Sequence, residues 1–261
     1  MPSQTITPRD WLWIRGFMLL TLCLMLFSST TALANLWKII NPGVAYMDLQ
    51  TKLLTPWSHV HVFRIDLTEN QMELWLAKTL FKKNATVEDF AVKTNALLAI
   101  NGGFFDKNDH PLGLRISHQE QQSPLKNISW WGVFYNKENK PYLSSLQHYH
   151  PESDIDFAIQ SGPRLLVHGR IPPLKPGLAE RSALGITPEG QVIIVVTENA
   201  PMTTTTLAKF LQHPPLACRD AINLDGGSSS QLYANMKGFK LNVPGFAPVS
   251  DAIIIKSRRN S

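Results

Sequence analysis

The sequence predicts an α+β fold: one domain with a mixed, strongly twisted β-sheet core and two or more helices. Three observations point there. Short runs of β-branched and apolar residues recur from His59 to Lys256 and dominate the pattern. Few stretches carry the three-to-four-residue apolar spacing of a helix. Strands and helices do not alternate strictly, so the βαβ rhythm of an all-parallel sheet is missing.

Taken in order, His59 to Leu67 alternates as a strand, and Met72 to Ala77 is its antiparallel partner across Glu69-Asn70. Thr86, three residues before Asp89, opens a helix with a stripe of Val87, Phe90 and Ala91 that ends near Asn95. Leu97 to Ile100 is a buried strand that delivers Asn101. Residues 106–129 are polar and carry Pro111, Gly113 and Pro124, which predicts a long loop or a weak hairpin. Trp131 to Tyr135 is a strand, and 141–152 is a loop. Phe157 to Gln160 and Arg164 to Val167 are strands around the turn Ser161-Gly162-Pro163. Residues 171–177 hold three prolines and form a loop. Ser182 to Thr187 and Gln191 to Thr197 make a hairpin around Pro188-Glu189-Gly190. Thr205 or Thr206 caps a helix running to about Gln212. Ala221 to Leu224 and Ala252 to Lys256 are the remaining strands.

The N-terminus follows other rules. Arg9 and Arg15 precede the apolar run FMLLTLCLMLF, and Ala32-Leu33-Ala34 follows it. A basic start, a short apolar core and an A-x-A ending describe a secretory signal peptide. The organisation expected is a signal peptide at 1–34, a lead-in segment at 35–58 and the domain at 59–261. The protein is then secreted or periplasmic, with an uncleaved membrane anchor as the alternative. Cys23 leaves with the signal, so Cys218 stands alone, without a disulfide, as a small buried apolar residue. The net charge of +5 is modest and spread out. Basic residues do not interleave with aromatics, which argues against nucleic acid. The tail Lys256 to Arg259 reads as a solvated terminus able to touch an anionic membrane surface. Nothing points to an obligate protein partner.

Two strands break in the same unusual way. Ala221-Ile222-Asn223-Leu224 runs into Asp225-Gly226-Gly227-Ser228-Ser229-Ser230, and Leu97 to Ile100 runs into Asn101-Gly102-Gly103-Phe104. Either alone reads as a tight turn. Together they point to one shared site. Glycine lets a ligand approach the main chain, and successive N–H groups can cradle an anion. Asp225 and Asp106 add carboxylates, and Arg164 and Arg181 stand at strand starts where a guanidinium can fork onto phosphate. Glu198 and Asn199 close another strand. His59 with His61, and His148 with His150, read as structural pairs, since zinc wants three or four ligands. No metal and no cofactor are expected. Ser228 to Ser230 lack a G-x-S-x-G elbow.

Four segments, INGGFFD (100–106), SGPRLLVHG (161–169), ERSALGITPEG (180–190) and NLDGGSSSQLY (223–233), resemble in order and rough spacing the phosphodiester glycosidase family. The resemblance covers about Val60 to Lys256. Ser228 stands where a third glycine is more usual, and Glu198 where many members carry an aspartate followed by glycine. The resemblance implies an exported hydrolase that cleaves the C1–O–phosphate bond of a sugar phosphodiester, such as an N-acetylhexosamine or an envelope glycan. The phosphate departs as a stable anion, so positive charge matters more than a strong acid. The implied catalytic residues are Asp225 first, Glu198 second, and Arg181. The implied substrate-binding residues are Asn101, Gly102, Gly103, Asp106, Arg164, Asn223, Gly226, Gly227, Ser228 and Ser229. The substrate partner is a sugar phosphate or anionic glycan. The alternative is a non-catalytic binding module for anionic envelope glycans. A metal-dependent phosphodiesterase is disfavoured because no dense His/Asp cluster is present.

Overall fold

A computed structural model describes residues 36–49 and 56–258. The expected signal peptide lies outside the described residues. The segment anticipated as a lead-in contributes β1 (Lys38–Asn41) and β2 (Val44–Asp48), which precede β3 (His59–Ile65) and β4 (Asn70–Leu76). One helical turn, α1 (Ala77–Leu80), comes before α2 (Val87–Thr94) and the buried β5 (Leu98–Asn101). The 106–129 segment does fold as a hairpin, β6 (Arg115–Ser117) and β7 (Glu120–Ser123). Next come β8 (Gly132–Lys137), β9 (Lys140–Ser145), β10 (Ile155–Ser161), β11 (Arg164–Leu166), β12 (Ser182–Ile186) and β13 (Val192–Glu198). Helix α3 (Thr204–Gln212), β14 (Asp220–Asn223), a 3-10 turn (Gly227–Ser229), β15 (Leu232–Met236), β16 (Phe239–Val243) and β17 (Asp251–Ser257) complete the chain.

The strands form three sheets: seven-stranded β1-β2-β3-β13-β12-β14-β11, five-stranded β7-β6-β10-β8-β9 and five-stranded β16-β15-β5-β17-β4. The strand-rich class with few helices stands. The sheets themselves are antiparallel in every described ladder rather than mixed. Antiparallel neighbours can be joined by tight turns, whereas parallel pairs need long crossovers. The β8–β9 hairpin illustrates this. Its two turn residues, Glu138 and Asn139, both have positive φ, 50° and 61°, as a twist-matched hairpin turn requires. Residues 141–152, expected as loop, therefore begin within a strand.

One core serves all three sheets. Phe63, Ile65, Leu184 and Ile194 face Leu74, Leu98, Ile100 and Ile253, with Phe134, Phe157 and Ile159 closing the side. Burying side chains of this size contributes roughly 1.5–3 kcal/mol each. Helix α2 lays Val87, Phe90 and Ala91 on the outer face of the third sheet, against Ala99, Ala252 and Ile254. Its expected cap is present: Thr86 accepts from the Asp89 N–H, and the Asp89 carboxylate accepts from the Thr86 N–H. Asn95 ends it in the left-handed region. The cap of α3 is Thr203, which accepts from the Thr206 N–H at 3.0 Å. Thr205 and Thr206 lie inside the helix instead, because four successive threonines leave the register open to the sequence. Cys218 is buried, and burial pushes its thiol up to about 12. The basic tail is not a free terminus among the described residues. Lys256 pairs with Glu73 at 3.0 Å, and Arg258 donates to the Leu67 carbonyl.

Candidate active site at two glycine corners

The two broken strands meet. β5 and β14 belong to different sheets, yet the Asp225 N–H donates to the Gly102 carbonyl at 3.2 Å. Asn101 locks them. Its Nδ2 donates to the Asp225 carbonyl at 2.8 Å and to Gly102, and its Oδ1 accepts from the Ser182 hydroxyl at 2.7 Å and the Gln231 N–H. Asn101 is fully buried with all of these bonds internal. These bonds make it the side chain that holds the corner together.

The first glycine pair has a packing cause. A Cβ on Gly102 would lie 1.7 Å from the Asp251 Oδ1, and one on Gly103 would lie 2.4 Å from Arg115 Nη2. Beneath them Arg115 and Asp251, both fully buried, form an ion pair at 3.1 Å. Every arm of the pair is answered. Arg115 also donates to the carbonyls of Leu112, Leu114, Gln160 and Phe104, and Asp251 accepts from Gly103 N–H and Ser250. A buried pair survives desolvation only with such satisfaction. Sequence reasoning missed both residues, and the room that Gly102 and Gly103 leave is filled by this pair.

The second corner is open. Asp225 is half-buried, and Gly227 takes φ +61°. Burial raises the Asp225 pKa, Ser229 and the Gly226 N–H pull it back, and the buried Asp251 adds to the rise. The expected anion cradle is mostly spent internally. The Gly226 N–H donates to the Asp225 Oδ1, and the Gly227 N–H to the Glu180 carbonyl at 2.8 Å. Ser228 is exposed, and its carbonyl accepts from Phe246 and Ala247. Ser229 is buried.

The remaining candidates separate. Asn223 sits beside the corner, donating its N–H to Pro163 O and its Nδ2 to Gly162 O. Arg164 follows directly and lies opposite Ile222 in the β11–β14 ladder. Arg181 starts next to the corner, but its Nε donates to Met202 O at 2.8 Å and its Nη2 to Gly177 O. Those two carbonyls hold the guanidinium through its Nε and Nη2. Asp106 lies in a surface loop, where it accepts from the Asn108 and His110 N–H groups. It shapes a turn and takes no part in the corner. Glu198 ends β13 and bonds His61 Nε2 at 3.0 Å. Tyr46 bonds the other ring nitrogen at 2.9 Å, and Asp48 bonds the neighbouring His59 at 2.6 Å. Burial lowers the His61 pKa and, with Asp48 and Glu198, raises that of Tyr46. A neutral ring accepting from Tyr46 and donating to Glu198 satisfies both contacts. Each of the two histidines is thus paired with a carboxylate, His59 with Asp48 and His61 with Glu198.

Buried polar atoms without partners concentrate here. Trp131 Nε1, Ser161 Oγ, Arg164 Nε, Asn223 Oδ1 and Ser230 Oγ all lie on the segments around Asn223 and Asp225. Folded proteins leave few such atoms, and each costs roughly 1–3 kcal/mol.

The fold and this corner define a class: a strand-rich domain carrying a half-buried aspartate at an Asp-Gly-Gly turn. Residues 94–256 match the family model described as phosphodiester glycosidase, and the chain belongs to that family. An uncharacterized protein of Escherichia coli (strain K12), YigE, is 30% identical over 129 residues, 45% of this chain and 51% of its own length. The match thus spans about half of that relative. The zebrafish N-acetylglucosamine-1-phosphodiester alpha-N-acetylglucosaminidase catalytic domain shares the fold at a TM-score of 0.61, with 21% identity over 82% of each chain. A hypothetical protein from Synechocystis also has a TM-score of 0.61, with 17% identity over 84% of this chain and 63% of its own.

Proposed function

We infer that this protein is an exported hydrolase that cleaves the C1–O–phosphate bond of a sugar phosphodiester in an anionic glycan. The observation that carries the reading is the Asp225 carboxyl at the junction of two glycine corners, with its pKa raised by burial. In the reaction water adds to the anomeric carbon, the C1–O bond breaks, and the phosphate leaves as a monoester anion. Asp225 stabilises the developing sugar cation or accepts the proton of the attacking water. Glu198, oriented by His61, is the second carboxylate. Arg164 offers the guanidinium for the departing phosphate.

The test is hydrolysis of a synthetic α-N-acetylglucosamine 1-phosphodiester in oxygen-18 water. The expected outcome is free N-acetylglucosamine carrying the label on its anomeric oxygen. Label in the phosphate instead would mean cleavage on the other side of phosphorus and would overturn the reading. A second reading, a binding module for anionic glycans, draws on the internal commitment of Arg181 and the glycine N–H groups. Binding without release of sugar would favour it.

A further inference from the structure

Three loops around the Asp225 corner carry bare apolar side chains. Trp130, Leu178 and Phe246 are 55%, 74% and 92% exposed. All three sit at one end of the strands. Trp130 precedes β8, whose first residue Gly132 lies opposite Ser161, the last residue of β10. Leu178 precedes β12, which starts beside the finish of β14. Phe246 follows β16, whose last residue Val243 lies opposite Leu232, itself opposite Ile100 near the close of β5. Each loop is fastened to the corner. The Gly227 N–H donates to the carbonyl of Glu180, just past Leu178, and the Phe246 N–H donates to the Ser228 carbonyl at 2.9 Å. The Trp130 carbonyl accepts from Arg164, next to the Pro163 carbonyl that holds Asn223. Exposed apolar groups scattered singly need no explanation, but several gathered on the rim of one open corner mark an interaction surface.

Their company identifies the partner. Lys126 and Lys175 stand exposed on the same loops, and residues 124–131, 171–179 and 244–250 contain no Asp or Glu. Tryptophan and other apolar tips flanked by lysine match the headgroup level of a phospholipid bilayer, where rings meet acyl chains and lysines reach phosphate. The carboxylates nearest these loops are engaged: Glu180 with Thr197 and the Ala200 N–H, Glu198 with His61, Asp48 with His59. Asp106 and Asp109 lie on the separate loop after β5, bonded to that loop's own N–H groups and to Asn84. The course of the chain agrees. β3 starts at this end, β2 finishes there with Asp48 opposite His61, and the short Pro42-Gly43 turn means that β1 begins there too. The sequence before β1, with its apolar run from Phe17 to Phe27, therefore joins the domain at this end. While that run is attached, it draws this face to the bilayer and not the opposite one.

We propose that Trp130, Leu178 and Phe246 seat the protein on a phospholipid bilayer with the Asp225 corner facing it. The substrate class follows, resting on the hydrolase reading above: a sugar phosphodiester whose other half is a membrane lipid. Its phosphate lies at headgroup depth, where Lys126 and Lys175 stand. Water adds to the anomeric carbon, the C1–O bond breaks, the phosphate monoester stays on the lipid and the sugar leaves into water.

Hydrogen–deuterium exchange of the full chain, with and without vesicles of phosphatidylethanolamine and phosphatidylglycerol, tests the seat because it reads each loop apart from the N-terminal run. Peptides covering 124–131, 171–179 and 244–250 should exchange more slowly with vesicles, while the β8–β9 turn at the opposite end should not change. Leu178→Ser/Phe246→Ser should melt as the wild type does and lose the protection even in 124–131, which carries neither substitution. Lys126→Gln/Lys175→Gln should weaken vesicle binding about fivefold per lysine. In the same vesicles a lipid-linked N-acetylglucosamine phosphodiester should be cleaved faster than its water-soluble analogue. Unchanged exchange in the three loops would overturn the proposal, as would full protection in Leu178→Ser/Phe246→Ser. Slowing that needs no vesicles and grows with protein concentration would also overturn it, since a second copy of the chain would then cover the rim. The two readings fail separately: unprotected loops beside intact cleavage of the soluble diester sink the seat alone, and protected loops without cleavage of either diester sink the hydrolase alone.

Discussion

Asp225 donates its backbone N–H to the carbonyl of Gly102 at 3.2 Å, and this bond, with those of the Asn101 side chain, ties the end of a strand in the seven-stranded sheet to the end of a strand in another. The carboxyl of Asp225 therefore has a position only because the Asn101-Gly102-Gly103 corner exists. Several consequences can be measured.

Asn101→Ala removes the side chain that bridges Ser182, Gln231 and the Asp225 carbonyl. Each buried group left unpaired costs roughly 1–3 kcal/mol. Urea unfolding should show a loss of at least one such increment. In the folded fraction, kcat should fall more than KM rises, since Asn101 sets the placement of Asp225.

Arg115→Met leaves Asp251 charged and buried without its partner. Breaking such a pair costs about 3–5 kcal/mol. The double variant Arg115→Met/Asp251→Asn should recover part of that loss, because no uncompensated charge remains. Equal destabilisation of single and double variants would show that the pair is not coupled.

Asp225 has a raised pKa from burial, so its ionised form is the costly one in the fold. Between the ordinary carboxylate value of 3.8 and its raised value, the folded state holds the proton more tightly than the unfolded state. Its contribution to stability is lost as pH rises through that window. Asp225→Asn should therefore melt higher than the wild type at pH 7 and show little difference near pH 3.

His61 has the opposite sign. Burial lowers its pKa from 6.5, so the unfolded chain takes up the proton first as pH falls. Stability contributed by the neutral ring is full above 6.5 and is lost as pH drops through the lowered value. His61→Gln, which can still donate to Glu198, should flatten the acid limb of a stability-against-pH curve.

Much of this site was legible in the sequence, and the remainder was hidden for physical reasons. Asp225, Asn223 and the glycine runs announced themselves because a buried strand rarely ends in its smallest polar residues, and the structure brings the two runs into contact. The Thr86–Asp89 cap and the β12–β13 hairpin followed from local chemistry that needs no distant partner. Arg115 and Asp251 did not show, because a lone charged residue in a polar stretch reads as surface until the fold encloses it. The same blindness applies to Arg181: sequence gives the guanidinium but not the Met202 and Gly177 carbonyls that occupy it. Pro141 disguised β9, although a strand at the sheet edge tolerates a proline. Asp106 looked like a ligand because it follows the glycine pair, and the loop turned it back on its own backbone.

The measurement that bears most directly on the shared corner is the rate of free-sugar release from an α-N-acetylglucosamine 1-phosphodiester by Asp225→Asn beside the wild type. A reacting carboxylate at that junction predicts a fall of about 10²–10⁴-fold in kcat, with the variant folded and at least as heat-stable at pH 7. Near-wild-type turnover by the folded variant would contradict it.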